Sequence, residues 1–198
     1  MTAGKGLEFA LARDGGVLFL TLVSGDGMNR LTGRKVIALT QEIEGFVSSN
    51  APVVPLVISG DPIFSAGADL NEISQLSEPD AFAFAKMGQK LMKIVEAYPA
   101  PVYAAIHGFC MGGGLDLALA CHHRIASPHA VFGHRGAALG LITGWGGTQR
   151  LPRLIGKGRA LEMLVAAETI GVQQALRVGL IEAIADDPIA EAVRRIRL

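Results

Sequence analysis

Three stretches of the chain combine residue types and spacings that can do chemistry. The first is Phe64-Ser65-Ala66-Gly67-Ala68-Asp69, which follows an apolar run at 53–59. Small side chains there leave backbone N–H groups open to a ligand oxygen. Asp69 also reads as a cap for the helix that follows. The second is Gly112-Gly113-Gly114-Leu115-Asp116-Leu117, where a loop opens into a helix. A helix N-terminus presents unsatisfied N–H groups at the positive end of its dipole. Three glycines let an acceptor approach them closely, which suits a developing oxyanion. Asp116 lies in the first turn beside those donors. It reads either as a general acid/base or as a carboxylate that only complements the dipole. The third is Phe132-Gly133-His134-Arg135-Gly136, followed by Gly144-Trp145-Gly146-Gly147-Thr148-Gln149-Arg150. His134 and Arg135 can reach a ligand from such a loop, although a lone His is more often a hydrogen-bonded structural residue. Trp145 reads as packing rather than as a stacking platform.

The elements that must position these stretches follow from periodicity. Residues 7–12 and 17–24 alternate around Asp14-Gly15-Gly16 and predict a hairpin. Thr32 caps a helix to about Ser48, with Val36, Leu39, Ile43 and Phe46 at helical spacing. Residues 53–59 predict a buried strand, and 60–69 a loop. A second helix starts near Ser77, with Pro79 in its first turn and Phe84, Met87, Leu91, Ile94 and Val95 on one stripe. Pro99 and Pro101 end it. Further strands are expected at 101–106, 124–126 and 130–132, with a helix over 115–121. From Trp145 onward the chain reads as short helices broken by Gly156, Gly158, Gly171 and Gly179, and 191–198 looks helical. Apolar strands alternating with amphipathic helices predict a single α/β domain over 1–198, with buried parallel strands.

Composition excludes other classes. The chain has 198 residues, with 18 basic and 18 acidic side chains and a formal net charge of zero. It has no global field to hold nucleic acid or an anionic membrane. With 50% hydrophobic and 18% charged residues it is not disordered. No apolar run approaches the roughly 20 residues needed to span a bilayer. The first six residues lack an apolar segment behind them, so no leader peptide is expected. Cys110 and Cys121 cannot build a disulfide scaffold and fit a reduced, cytoplasmic setting. There is no G-x-S-x-G elbow, no P-loop, no G-x-G-x-x-G after a strand and no zinc-ligand spacing. Neither a metal nor a nucleotide cofactor is therefore expected. Of the 25 glycines, twelve cluster at 108–114, 133–147 and 156–158, where backbone must approach something closely.

Taken in order, the segments Phe-Ser-Ala-Gly-Ala-Asp-Leu (64–70), Ala-Ala-Ile-His-Gly-Phe-Cys-Met-Gly-Gly-Gly-Leu-Asp-Leu-Ala (104–118) and Gly-Gly-Thr-Gln-Arg-Leu-Pro-Arg (146–153) resemble the crotonase family of enoyl-CoA hydratases and isomerases. Gly179-Leu180-Ile181-Glu182 adds to the likeness, which runs from the first hairpin to about residue 185. The resemblance implies a spiral of β-β-α turns assembled as trimers or dimers of trimers. It implies a coenzyme A thioester as substrate, with its carbonyl in an oxyanion hole formed by the N–H groups of Ala68 and Gly113. Asp116 falls where family members carry a first acid/base carboxylate, usually Glu. Ala66, Gly67, Asp69, Gly112 and Gly114 become substrate-binding candidates. His134, Arg135 and Gly136 join them.

The departures from the family pattern are as informative. Where hydratases carry a second Glu, this chain has Gly136; the third acidic position of dienoyl-CoA isomerases corresponds to Gly144. His134 and Arg135 are the candidates for a substitute proton carrier or charge clamp, although spacing alone does not place them in the pocket. His122 replaces a structural Asp. The family's C-terminal helices, which cover the acyl-CoA site, are expected to be short or absent. Two other readings stay open: an acyl-CoA-binding protein without turnover, and hydrolase or decarboxylase chemistry on the same scaffold.

Overall fold

The computed structural model describes residues 9–198. Leu7 and Glu8, expected in the first strand, and the first six residues lie outside the described residues.

Along the chain, β1 (Phe9–Asp14) and β2 (Val17–Leu22) form the expected hairpin, and α1 (Gly33–Ser48) follows. Thr32 caps α1 by accepting the Lys35 N–H, and Val36, Leu39 and Ile43 are buried beneath it. Next come β3 (Leu56–Gly60), a short α2 (Leu70–Ile73) and α3 (Glu78–Glu96). Ser77 accepts the Asp80 N–H at the start of α3, with Pro in the first turn. β4 (Val102–Ile106), β5 (Phe109–Met111) and α4 (Gly113–Ala120) form the centre. β6 (His123–Ala126), β7 (Val131–Gly133), a 3-10 turn (Gly136–Leu139), α5 (Gly147–Ile155) and α6 (Lys157–Ala166) come next. β8 (Thr169–Gly171), α7 (Val172–Arg177), β9 (Ala183–Ile184) and α8 (Pro188–Ile196) complete the order.

The main sheet runs β1-β2-β3-β4-β6-β9, parallel from β2 onward. A second sheet runs β5-β7-β8, and Ser65 extends it by a bridge to Cys110. Three successive strands, β3, β4 and β6, thus step out of the main sheet into the second ladder, at Ser65, β5 and β7, before the next helix. That is the spiral of β-β-α turns.

Side-chain alternation splits the sheet's two faces. Val102, Ala104 and Ile106 of β4 face the main core with α1, α3 and α4, while Tyr103 and Ala105 face a smaller cluster closed by Ala192 of α8. Each large apolar side chain sealed this way contributes about 1.5–3 kcal/mol. All eight residues of α4 are buried, so the helix carrying Asp116 is the most enclosed of the fold. His122 stands between α3 and β4: its Nδ1 accepts the Val102 N–H at 3.0 Å, and its Nε2 lies 3.1 Å from the Glu96 carbonyl oxygen. The imidazole therefore satisfies backbone groups at this junction.

The structure corrects several details. α2 lies between the loop expected at 60–69 and the helix start at Ser77, where no element is expected, and α4 starts at Gly113 rather than at 115. β5, β8 and β9 are three, three and two residues long, too short for periodicity to show, and the last two interrupt the stretch read as helices alone. No helix among the described residues is long and apolar enough to cross a membrane.

Candidate active site

Two strand-to-helix turns meet at one point. The chain leaves β3 through Ser65, whose buried hydroxyl donates to the Asn29 carbonyl at 2.7 Å and accepts the Gly67 N–H at 3.0 Å. Gly67 then turns at φ +96°, a conformation open to glycine but strained for L side chains. A Cβ there would lie 2.7 Å from the Met111 carbonyl oxygen and 3.1 Å from the Gly113 nitrogen. A Cβ on Gly113 would come 3.3 Å from the Ala68 nitrogen and 2.5 Å from the Trp145 ring. Only bare backbone lets the two turns approach this closely. Neither the Ala68 N–H nor the Gly113 N–H donates to a protein acceptor among the described residues. The first is paired only as an isolated bridge residue, and the second heads α4, where no carbonyl of its own helix is available.

Beside these amides opens a cavity of about 550 Å³. Ala66, Ala68, Gly112, Gly113, Asp116, His134, Arg135 and Gly136 line it, with apolar walls from α2, α3 and the segment before Trp145. Three other candidates lie off it. Gly67 shapes the turn, and Asp69 caps α2 by accepting the Asn71 and Glu72 N–H groups at 2.8 and 3.1 Å. Gly114 packs against Ser65, whose Cβ is 2.6 Å from where a side chain would begin.

Asp116 is 2% exposed and holds two donors. His134 Nε2 lies 3.0 Å from Oδ1, and the Thr143 hydroxyl donates to Oδ2 at 2.5 Å. His134 is itself buried. A carboxylate this enclosed is costly unless paired, and the His–Asp–Thr arrangement provides the pairing. Thr143 was not singled out by the sequence, since nothing in its local spacing marks it. Trp145 packs as expected, donating Nε1–H to the Phe84 carbonyl at 3.3 Å, and it also walls the cavity. Arg135 is exposed at the mouth. The two cysteines are no nucleophiles: burial pushes the Cys110 thiol well up and the Cys121 thiol up to about 12, so both stay protonated at neutral pH. Among the described residues no three His, Cys, Asp or Glu side chains come together as a metal site needs.

These features define an α/β spiral with a buried carboxylate set beside two unoccupied backbone donors. The enoyl-CoA hydratase/isomerase family model matches residues 12–196. A crotonyl-CoA hydratase of Syntrophomonas wolfei is 46% identical over 133 residues, covering 66% of this chain and 51% of its own. A Bacillus subtilis protein named "probable enoyl-CoA hydratase" is 40% identical over 188 residues, covering 94% of this chain and 72% of its own. The crystal structure of an enoyl-CoA hydratase from Bacillus anthracis superposes with a TM-score of 0.90 at 32% identity, over 96% of this chain and 75% of that one. DspI of Pseudomonas aeruginosa superposes at 0.91, also at 32% identity, over 96% and 73%. The chain belongs to the enoyl-CoA hydratase/isomerase family. It spans about half the length of the S. wolfei relative and 72% of the B. subtilis one.

Proposed function

We propose that the chain binds an acyl-CoA thioester in the 550 Å³ cavity and hydrates or isomerises its enoyl group. The observation that carries this reading is the pair of free amides, Ala68 and Gly113, beside a cavity whose one carboxylate is the buried Asp116. The thioester oxygen accepts from both N–H groups, so charge moving onto it as an enolate meets fixed donors in a largely apolar site. Removing one such donor typically costs about 10²–10³ in rate. Asp116 is the carboxylate of the acid/base centre that handles the proton enolate formation or collapse requires. The apolar walls keep water from competing with these contacts. No cofactor beyond the substrate's own coenzyme A takes part, and the working assembly is a homotrimer or a dimer of trimers. Gly136 supplies no second carboxylate, which is the observation favouring a protein that binds acyl-CoA without turning it over.

Mass spectrometry of the protein with 2-enoyl-, 3-enoyl- and dienoyl-CoA panels tests both readings. A hydrated or isomerised product is expected, with Asp116→Asn lowering kcat by about 10²–10⁴ while acyl-CoA binding persists. Isomers share a mass and are separated by retention time and ultraviolet absorbance. Full turnover in Asp116→Asn removes the assigned role. Binding with no product from any panel member leaves the non-catalytic reading.

A further inference from the structure

We infer that Asp116 and His134 act as one acid–base unit in which His134 Nδ1 is the atom that exchanges a proton with substrate; the inference rests on the reading of Ala68, Gly113 and Asp116 given above. Three titratable side chains line the cavity: Asp116, His134 and Arg135. An arginine does not give up its proton in proteins, so it cannot shuttle one. Asp116 is engaged on both oxygens, at 3.0 Å by His134 Nε2 and at 2.5 Å by Thr143. A carboxylate only accepts, so the imidazole hydrogen sits on Nε2 and the lone pair on Nδ1. Nδ1 has no protein partner among the described residues, yet it is not sealed. The one sealed side-chain nitrogen or oxygen without a partner is Arg150 Nε. Nδ1 is therefore not sealed, and His134 lines both this cavity and a second one bounded by α5, α6 and the turn at 136–143, with Nδ1 assigned to the first. Gly147 makes room for the pair: a Cβ there would lie 2.3 Å from Asp116 Oδ1 and 3.1 Å from His134 Nε2.

For water addition the balance closes with this one carrier. Water oxygen bonds to the β-carbon as the C=C electron pair moves into the thioester enolate held by Ala68 and Gly113. The water proton passes to Nδ1, giving an imidazolium against the Asp116 carboxylate. That proton then bonds to the α-carbon as the enolate collapses. One water is consumed and nothing is oxidised or reduced.

The test compares kcat and KM on a four-carbon 2-enoyl-CoA for wild type, His134→Ala, His134→Gln, Asp116→Asn and the exposed control His129→Ala, with and without free imidazole. The expected result is a loss of about 100-fold or more in kcat for His134→Ala at nearly unchanged KM. Imidazole should restore at least a tenth of the lost rate to His134→Ala, and none to Asp116→Asn. His134→Gln keeps an N–H donor for Asp116 but no base, so it should fold, bind and stay inactive; His129→Ala should match wild type. If His134→Gln turns over like wild type while Asp116→Asn is dead, Asp116 carries the proton itself: this inference falls and the proposed function stands. Loss in His134→Ala that imidazole does not restore also overturns the inference. If Asp116→Asn is as active as wild type, the reading of the site falls with it.

Discussion

The wall formed by residues 66–68 and 112–113 differs from the one formed by 134–144 in what holds it. On the first side three of the five backbone N–H groups, those of Ala66, Gly67 and Gly112, are tied across the chain. The Ala66 N–H donates to Met28, Leu31 to Gly67, Met111 to Ser65 and Gly112 to Gly133, each at 2.8–2.9 Å. Ala68 and Gly113 are left over because the turns approach too closely for anything but each other. On the second side the chain is a 3-10 turn whose closing bond is Leu141 N–H to the Gly136 carbonyl. Its apolar side chains stand out, with Leu139 58% and Ile142 76% exposed. The held wall offers fixed donors. The open wall offers the side chains, His134 and Thr143, that hold both oxygens of Asp116.

The largest break in this comparison comes from the held wall. Gly67→Ala places a Cβ 2.7 Å from a backbone oxygen at φ +96°, and neither can relax without moving Ala68 or Gly113. The expected cost is about 2 kcal/mol or more of stability, with activity down by at least about 100-fold. Denaturant titration and turnover on the same preparation check it. A Gly67→Ala protein of wild-type stability and rate would mean this wall is not fixed in the way described.

The corresponding change on the open wall is milder. A Cβ on Gly136 meets the Leu141 carbonyl oxygen at 2.9 Å, but that residue is exposed and the turn can shift outward. Gly136→Glu should cost less than about 1.5 kcal/mol. It also places a carboxylate where the resemblance to hydratases implies a second one. Its midpoint in denaturant should lie close to wild type, and hydration of a 2-enoyl-CoA should not decrease. A loss of stability matching Gly67→Ala would erase the difference between the two walls.

That difference also decides what could be read from the sequence. The held wall was legible because its requirement is local: small residues, a glycine turn and a helix start written in consecutive positions. The helices capped by Thr32 and Ser77, and the buried strand after Pro101, were legible for the same reason. The His134–Asp116 contact spans 18 positions and the Thr143 contact 27, so each depends on how β7 and the following turn dock onto α4. Nothing in the spacing at 132–136 says that His134 turns inward while Arg135 turns out. Asp69 shows the converse case. Its local cap signal sufficed, and the structure places it on α2 rather than on the cavity.

The smallest effect tests whether the held wall opens as part of the core. Cys110 lies in β5 directly before Met111, and Cys121 follows α4, its Sγ–H donating to the Leu117 carbonyl at 3.3 Å. Both are buried, and burial is the first cause raising both thiols. The neutral thiol is thus the form the fold favours. In the unfolded chain a thiol ionises near pH 8.5, whereas folded Cys121 holds its proton to about 12. Its contribution to stability is therefore intact below about pH 8.5 and declines as pH rises toward 12. The denaturation midpoint should fall over that range, and less steeply in Cys121→Ala. At pH 7.5 an alkylating reagent should reach neither thiol faster than global unfolding, even where protease clips the turn at 136–142 within minutes. Thiol modification that keeps pace with clipping would mean the two walls open together, and the Ala68 and Gly113 amides would then be no better fixed than the turn facing them.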